Sequence, residues 1–124
     1  MTIYALSSGS GIAGISVIRV SGPETKNVIK KMINGSLPKP RSATIKKIMK
    51  INSNELIDEG VIIWFPGPNS YTGEDMLEMH VHGSRAVVEA IHASISKIEN
   101  CRLAEPGEFT KLAFQNGKIN LLKA

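Results

Sequence analysis

The run Asp75-Met76-Leu77-Glu78-Met79-His80-Val81-His82 decides how the chain folds. Leu77, Met79 and Val81 fall at every second position, and Glu78, His80 and His82 fill the positions between them. Successive side chains of a strand point to opposite faces, so this alternation predicts a strand with one apolar and one polar face. A sheet with one face on a core and one face open is the usual home of such a strand, and it is antiparallel more often than parallel. Immediately upstream, Pro66 to Gly73 holds two prolines and two glycines and reads as a tight, rigid loop. Immediately downstream, Val87, Val88, Ile91, Ile95 and Ile98 have helical spacing, with Ser84 placed to cap the helix.

Further out, Gly60 to Phe65 reads as a strand paired through an Asn52-Ser53-Asn54 turn with the isoleucine-rich stretch Ala43 to Ile51. Thr2 to Leu6 and the β-branched run Ile15 to Val20 are two more strands, joined by a Gly/Ser loop from Ser7 to Gly14. A helix opens at Ser21-Gly22-Pro23, shows its apolar face at Val28, Ile29, Met32 and Ile33, and ends at Asn34-Gly35. Leu37 to Arg41 is an extended connector, because residues before proline avoid the α region. A short strand at Cys101 to Ala104 precedes a helix from Pro106 to Asn116-Gly117. The order β-β-α-β-β-β-α-β-α predicts an α+β fold, a mixed or antiparallel sheet with helices packed on one face. Residues 119–124 read as the first turn of a further helix.

With 124 residues, 42% of them hydrophobic, one domain with one core is expected. The single cysteine, Cys101, forms no internal bridge and reads as a small hydrophobe in a reducing, cytoplasmic setting. No signal peptide is read at the N-terminus, and no apolar run approaches the roughly 20 residues of a membrane span. The formal net charge is +4, and eight of the 15 basic residues lie between Lys26 and Lys50. They are Lys26, Lys30, Lys31, Lys39, Arg41, Lys46, Lys47 and Lys50, with no aromatic residue among them. Such a stretch is either a solvated surface or a patch for phosphate backbones, and it offers no platform for stacking bases.

Gly9-Ser10-Gly11-Ile12-Ala13-Gly14 spells G-x-G-x-x-G, but a dinucleotide site needs a helix after it and a strand follows here. No G-x-x-x-x-G-K-S/T sequence occurs, which excludes phosphate binding by a P-loop in this chain. Glu78, His80 and His82 at two-residue spacing offer metal ligands on paper, yet no second cluster completes a shell, and a polar ligand site or hydrogen-bond network fits them better. His92 reads as a surface or boundary residue.

Two strings are unusually specific: FPGPNSYTGEDMLEMHVHG from Phe65, and AEPGEFTKLAFQNGKINL from Ala104. With the opening GSGIAGISVIRVSGP and the LPKPR connector, they resemble the N-terminal domain of the tRNA modification GTPase family called MnmE or TrmE, along essentially the whole chain. The resemblance implies a fold like the folate-binding domain of aminomethyltransferases. It also implies a homodimer formed through this domain that binds 5-formyl-tetrahydrofolate or a related one-carbon folate. Carried over by motif position, the folate contacts are Arg19 in ISVIRVSG, Glu78 in EDMLEMH and Lys118 in FQNGKINL. The chemistry agrees: a carboxylate accepts from the paired N–H donors of a pterin, and a guanidinium or ammonium suits the glutamyl tail or a formyl oxygen. Which base takes which anion stays open.

In that family the folate domain, here residues 1–119, runs into a helical domain, here starting at 120–124, with an inserted GTPase. GTP, magnesium and potassium would belong to that GTPase and not to this chain. The resemblance further implies a tRNA substrate and a flavin-dependent partner of the MnmG or GidA family. Together they add an aminomethyl-type group at carbon 5 of the wobble uridine. Two other readings remain: a stand-alone one-carbon transferase, and a basic RNA-binding module.

Overall fold

The computed structural model describes residues 1–7 and 14–118. The Gly/Ser loop at 8–13 and the terminal turn read at 119–124 lie outside them. The described elements follow the expected order: β1 (Thr2–Leu6), β2 (Ile15–Ser21), α1 (Thr25–Met32), β3 (Thr44–Met49), β4 (Leu56–Phe65), β5 (Met76–His82), α2 (Arg85–Ser96), β6 (Cys101–Leu103) and α3 (Glu108–Gln115). They build one mixed sheet in the order β3-β4-β5-β2-β1-β6. All neighbours are antiparallel except β1 and β6, which run parallel.

Register explains the two faces. Val20 pairs with Leu77 and Tyr4, and Ile18 with Met79, while Ile62 and Trp64 pair with Met79 and Leu77 from the other side. These residues form one apolar surface and are nearly inaccessible, Trp64 at 2%. Helix α1 lays Val28, Ile29 and Met32 on it, and α2 adds Ile91 and Ile95. Each such side chain contributes about 1.5–3 kcal/mol on burial. The alternation in β5 therefore does what its sequence demands, with Leu77, Met79 and Val81 in the core and Glu78, His80 and His82 turned away.

Four boundaries shift for local reasons. Helix α1, read as opening at Ser21-Gly22-Pro23, begins at Thr25, because β2 runs on through Ser21 and residues 22–24 form a turn. Helix α1 ends at Met32, because Ile33 turns extended and bridges to Ile48. Strand β4 starts earlier, at Leu56, across from Met49, where a register irregularity absorbs the mismatch. Helix α3 starts at Glu108, after Gly107 takes a left-handed conformation. Ser84 does cap α2, its hydroxyl accepting from the Val87 amide at 3.1 Å.

Candidate functional site

Arg19 on β2 and Glu78 on β5 are 59 residues apart in sequence and directly opposite in register, on the face of the sheet that α1 and α2 leave open. The Arg19 Nε donates to Glu78 Oε2 at 2.9 Å. The other carboxylate oxygen, Oε1, lies 3.0 Å from His80 Nε2. Glu78 is well shielded at 16% exposure, while Arg19 keeps 36%. A pair this exposed on one side contributes on the order of 1 kcal/mol to stability, so its geometry is of more use for holding the carboxylate still than for the fold. His82, the third member of the polar series, goes elsewhere. Its ring Nδ1 and its backbone N–H both reach Asp58 at 2.9 Å. Burial raises the Asp58 carboxyl, but these hydrogen bonds outweigh it and hold the group below its ordinary value. Among the described residues no three His, Cys, Asp or Glu side chains gather as a metal site.

The loop between β4 and β5 supplies the site's wall. Its prolines and glycines limit its freedom, and hydrogen bonds finish the task. Asp75 Oδ1 accepts from the Gly67 amide at 2.9 Å, Thr72 Oγ1 lies 2.7 Å from Ser21 Oγ, and the Ser70 hydroxyl donates to the Glu74 carbonyl. Arg41, in the connector, clamps the loop from outside by donating to the Asn69 carbonyl at 2.8 Å. Held in this way, Tyr71 presents its ring 6.0 Å from the Arg19 guanidinium carbon, within reach of a cation–π attraction.

Helix α3 is stitched to the same loop: Tyr71 Oη and Thr110 Oγ1 are 3.3 Å apart, and Asn116 Nδ2 donates to the Thr72 carbonyl at 2.7 Å. Lys118 closes the helix, its amide donating to the Ala113 carbonyl at 2.7 Å. Its side chain lies against Gly73, where an added Cβ would come within 3.3 Å of Lys118 Cε and 3.0 Å of Asn116 Cβ. Gly73 also has φ +86°, so glycine is required there for both backbone and space. Of the three residues singled out in sequence, Arg19 and Glu78 are in direct contact; Lys118 joins them only through the loop and is exposed.

Beside Arg19 opens a cavity of about 500 Å³, bounded by Ala5, Tyr71, His92, Glu105, Phe109 and Thr110 among others. That volume is in the range of small-molecule sites. Of the two places read for His92, surface or boundary, it takes the boundary one, half-buried on α2. Its ring packs against Tyr4 with centroids 5.2 Å apart, its Nε2 is buried without a hydrogen-bond partner, and burial holds its pKa below the usual histidine value. Helical spacing carried this signal, since His92 follows Val88 by four positions and precedes Ile95 by three. His80, read with Glu78 as part of a polar ligand site or hydrogen-bond network, does bond Glu78 on its own strand. Tyr71 was passed over, and only the folded loop reveals its partners.

Residues 2–118 match the family described as "GTP-binding protein TrmE N-terminus". Similar proteins include the tRNA modification GTPase MnmE of Pelagibacter ubique, 72% identical over 124 residues, which are 100% of this chain and 28% of that protein. The mitochondrial tRNA modification GTPase gtpbp3 of Dictyostelium discoideum is 49% identical over 97% of this chain and 25% of its own length. A mitochondrial protein of Danio rerio, named as the GTPB3 subunit of a 5-taurinomethyluridine tRNA synthase, is 46% identical over 97% of the chain and 24% of its own. The chain thus spans about a quarter of the relatives it matches. Arriving over nearly every described residue, on an α+β fold with the expected element order, the match shows that this chain belongs to the TrmE N-terminal family.

Proposed function

We propose that this chain is a folate-binding and dimer-forming domain serving a tRNA modification GTPase. The observation that carries the reading is Glu78: a shielded carboxylate on the open sheet face, fixed by Arg19 and His80. Each of its oxygens spends one acceptor position on a neighbour, and a carboxylate offers about four in all. Two remain for the N–H edge of a pterin, in the parallel arrangement that gives carboxylates specificity for planar donors. Arg19, which lines the adjoining cavity, and Lys118 suit the anionic end of the same molecule. Folate would supply the one-carbon unit when bound. Glu78, Arg19 and Lys118 would hold and orient it, with no step of chemistry of their own.

A second copy of the chain is the natural cover for the open sheet face. Ile15 and Ile45 stand 48% and 69% exposed there, and Val17, Val61, Ile63 and Phe65 are half-buried around Glu78 and His80. In the whole protein we assign GTP hydrolysis, with its magnesium and potassium, to a further domain. The aminomethyl-type modification of the wobble uridine falls to a complex with a flavin-dependent MnmG or GidA partner and tRNA, in the cytoplasm. No helix among the described residues is long and apolar enough to cross a membrane. Isothermal titration of 5-formyl-tetrahydrofolate, with oligomeric state measured on the same sample, tests the reading. One site per subunit of a dimer supports it, and a dimer that ignores folate overturns it.

A further inference from the structure

The eight basic residues between Lys26 and Lys50 do not form one patch. Arg41 is spent on the Pro66–Gly73 loop, Lys50 pairs with Glu55 at 2.8 Å, and Lys47 shares the open sheet face with its register partner Glu59. Lys31 lies on the flank of α1 toward Cys101, close enough to bear on its thiol. Three of the rest converge. Lys26 and Lys30 stand one turn apart on the outer face of α1 and, with Ile29, Gly35 and Leu37, line a groove of about 290 Å³. Lys46 reaches the same place from β3, since a Cβ built on Gly35 would lie 3.0 Å from its Nζ. Among the described residues none of the three forms an ion pair.

We infer that this groove receives the phosphate backbone of a structured RNA. Lys30 also sits in the last turn of α1, where a cation complements the helix dipole. That local role explains neither Lys26 in the first turn nor Lys46 on a separate strand. Lys26 and Lys30 are about 6 Å apart along the helix axis, comparable to neighbouring phosphates on one strand, and Lys46 adds a third charge from the side. The stretch holds no aromatic residue to stack on bases, and its convergent side chains are lysines, donors that suit phosphates. The contact is therefore a positioning one, made to phosphates and indifferent to sequence. It lies on the helix-covered side of the sheet, opposite Glu78, so folate and RNA would occupy different surfaces of one domain. That RNA rather than another polyanion is the partner rests on the tRNA-modification reading above.

The test is binding of unfractionated tRNA to this chain, followed by fluorescence anisotropy across a salt series. The double variant Lys26→Gln/Lys30→Gln is compared with Lys97→Gln/Lys111→Gln, which removes the same charge from exposed positions elsewhere. Each lost lysine–phosphate contact should flatten the slope of log K against log salt by about 1. The first variant should therefore flatten it by about 2, and the second should leave it unchanged; adding Lys46→Gln should flatten it further. Equal flattening in both double variants, or no salt-dependent binding by the parent chain, overturns the proposal. So does lysine-dependent binding of phosphatidylserine vesicles in place of tRNA. Circular dichroism and folate titration on the same variants keep the outcomes apart. Unchanged folate affinity with lost RNA binding isolates the groove, and RNA binding without folate affinity would instead sink the folate reading.

Discussion

Glu78 works by being immobile. Both its oxygens are engaged at about 3 Å, and replacing it with glutamine keeps the shape but removes the charge and turns one acceptor into a donor. Hydrogen bonds to charged groups are worth about 1.5–3 kcal/mol, so Glu78→Gln should weaken 5-formyl-tetrahydrofolate binding at least tenfold in calorimetry. The melting temperature should barely move, since a pair with its arginine this exposed contributes on the order of 1 kcal/mol. An unchanged affinity would refute the assignment. His92 is the opposite case, a residue whose charge the fold resists. Its folded pKa is depressed by burial, so it stays neutral in the folded chain where the unfolded chain would take up a proton. The stability this supplies is complete above the unfolded value near 6.5 and declines as pH falls below it. Thermal melts should show that decline, and His92→Phe, which retains packing on Tyr4, should lessen it. Cys101 belongs at this scale too. Burial, then the charge of Glu24, push its thiol up, so the group is protonated and a poor nucleophile at neutral pH. Its reaction with a maleimide reagent should be slower than that of a free cysteine and should speed up on unfolding.

The elements show what the sequence could and could not carry. The described strands and helices were legible in order, some by a clean period (two in β5, about three and a half in α2) and others, such as β2 and β3, by β-branched composition and the turn residues around them. The ends were less so. Gly107 in a left-handed conformation moves the start of α3 past Pro106, and Ile33 leaves α1 because a bridge to Ile48 satisfies its backbone. Arg19 and Glu78 were both picked out, yet their contact was invisible, because register between strands 59 residues apart is set by the packed core and not by any turn. Tyr71 was hidden for a related reason: its direction depends on hydrogen bonds from Ser21, Arg41 and Asn116 that reach into the loop from three separate elements. The same dependence makes Gly73 a sensitive position. Gly73→Val would force a β-branched residue into φ +86° against Asn116 and Lys118, so folate affinity should fall as the loop and the end of α3 part. Ser84→Ala, by contrast, removes one cap and should cost about 1 kcal/mol in a denaturant melt without touching ligand binding.

For the molecule as a whole, the two sides of the sheet divide the work. One side is closed by α1 and α2 and carries the lysine groove on its outer surface; the other is left bare and carries Glu78. A bare side with Ile15 and Ile45 on it is what a second copy would cover. Ile15→Lys/Ile45→Lys changes two exposed positions, so folding should be nearly unaffected. Under the dimer reading, sedimentation should show a dimer for the parent chain and a monomer for the variant; a monomeric parent chain would overturn that reading. A dimer that persists would move the interface elsewhere.

The parallel pairing of β1 with β6 has a consequence for how the chain is made. Thr2, Ile3 and Tyr4 lie beside Cys101, Arg102 and Leu103, so β1 cannot complete its pairing until β6 has been made. At ordinary synthesis rates that wait is on the order of ten seconds. Throughout it, one edge of β1 stands with its N–H and C=O groups unmatched, a template for any passing strand. During those seconds that open edge can pair wrongly with a neighbouring nascent chain on the same messenger.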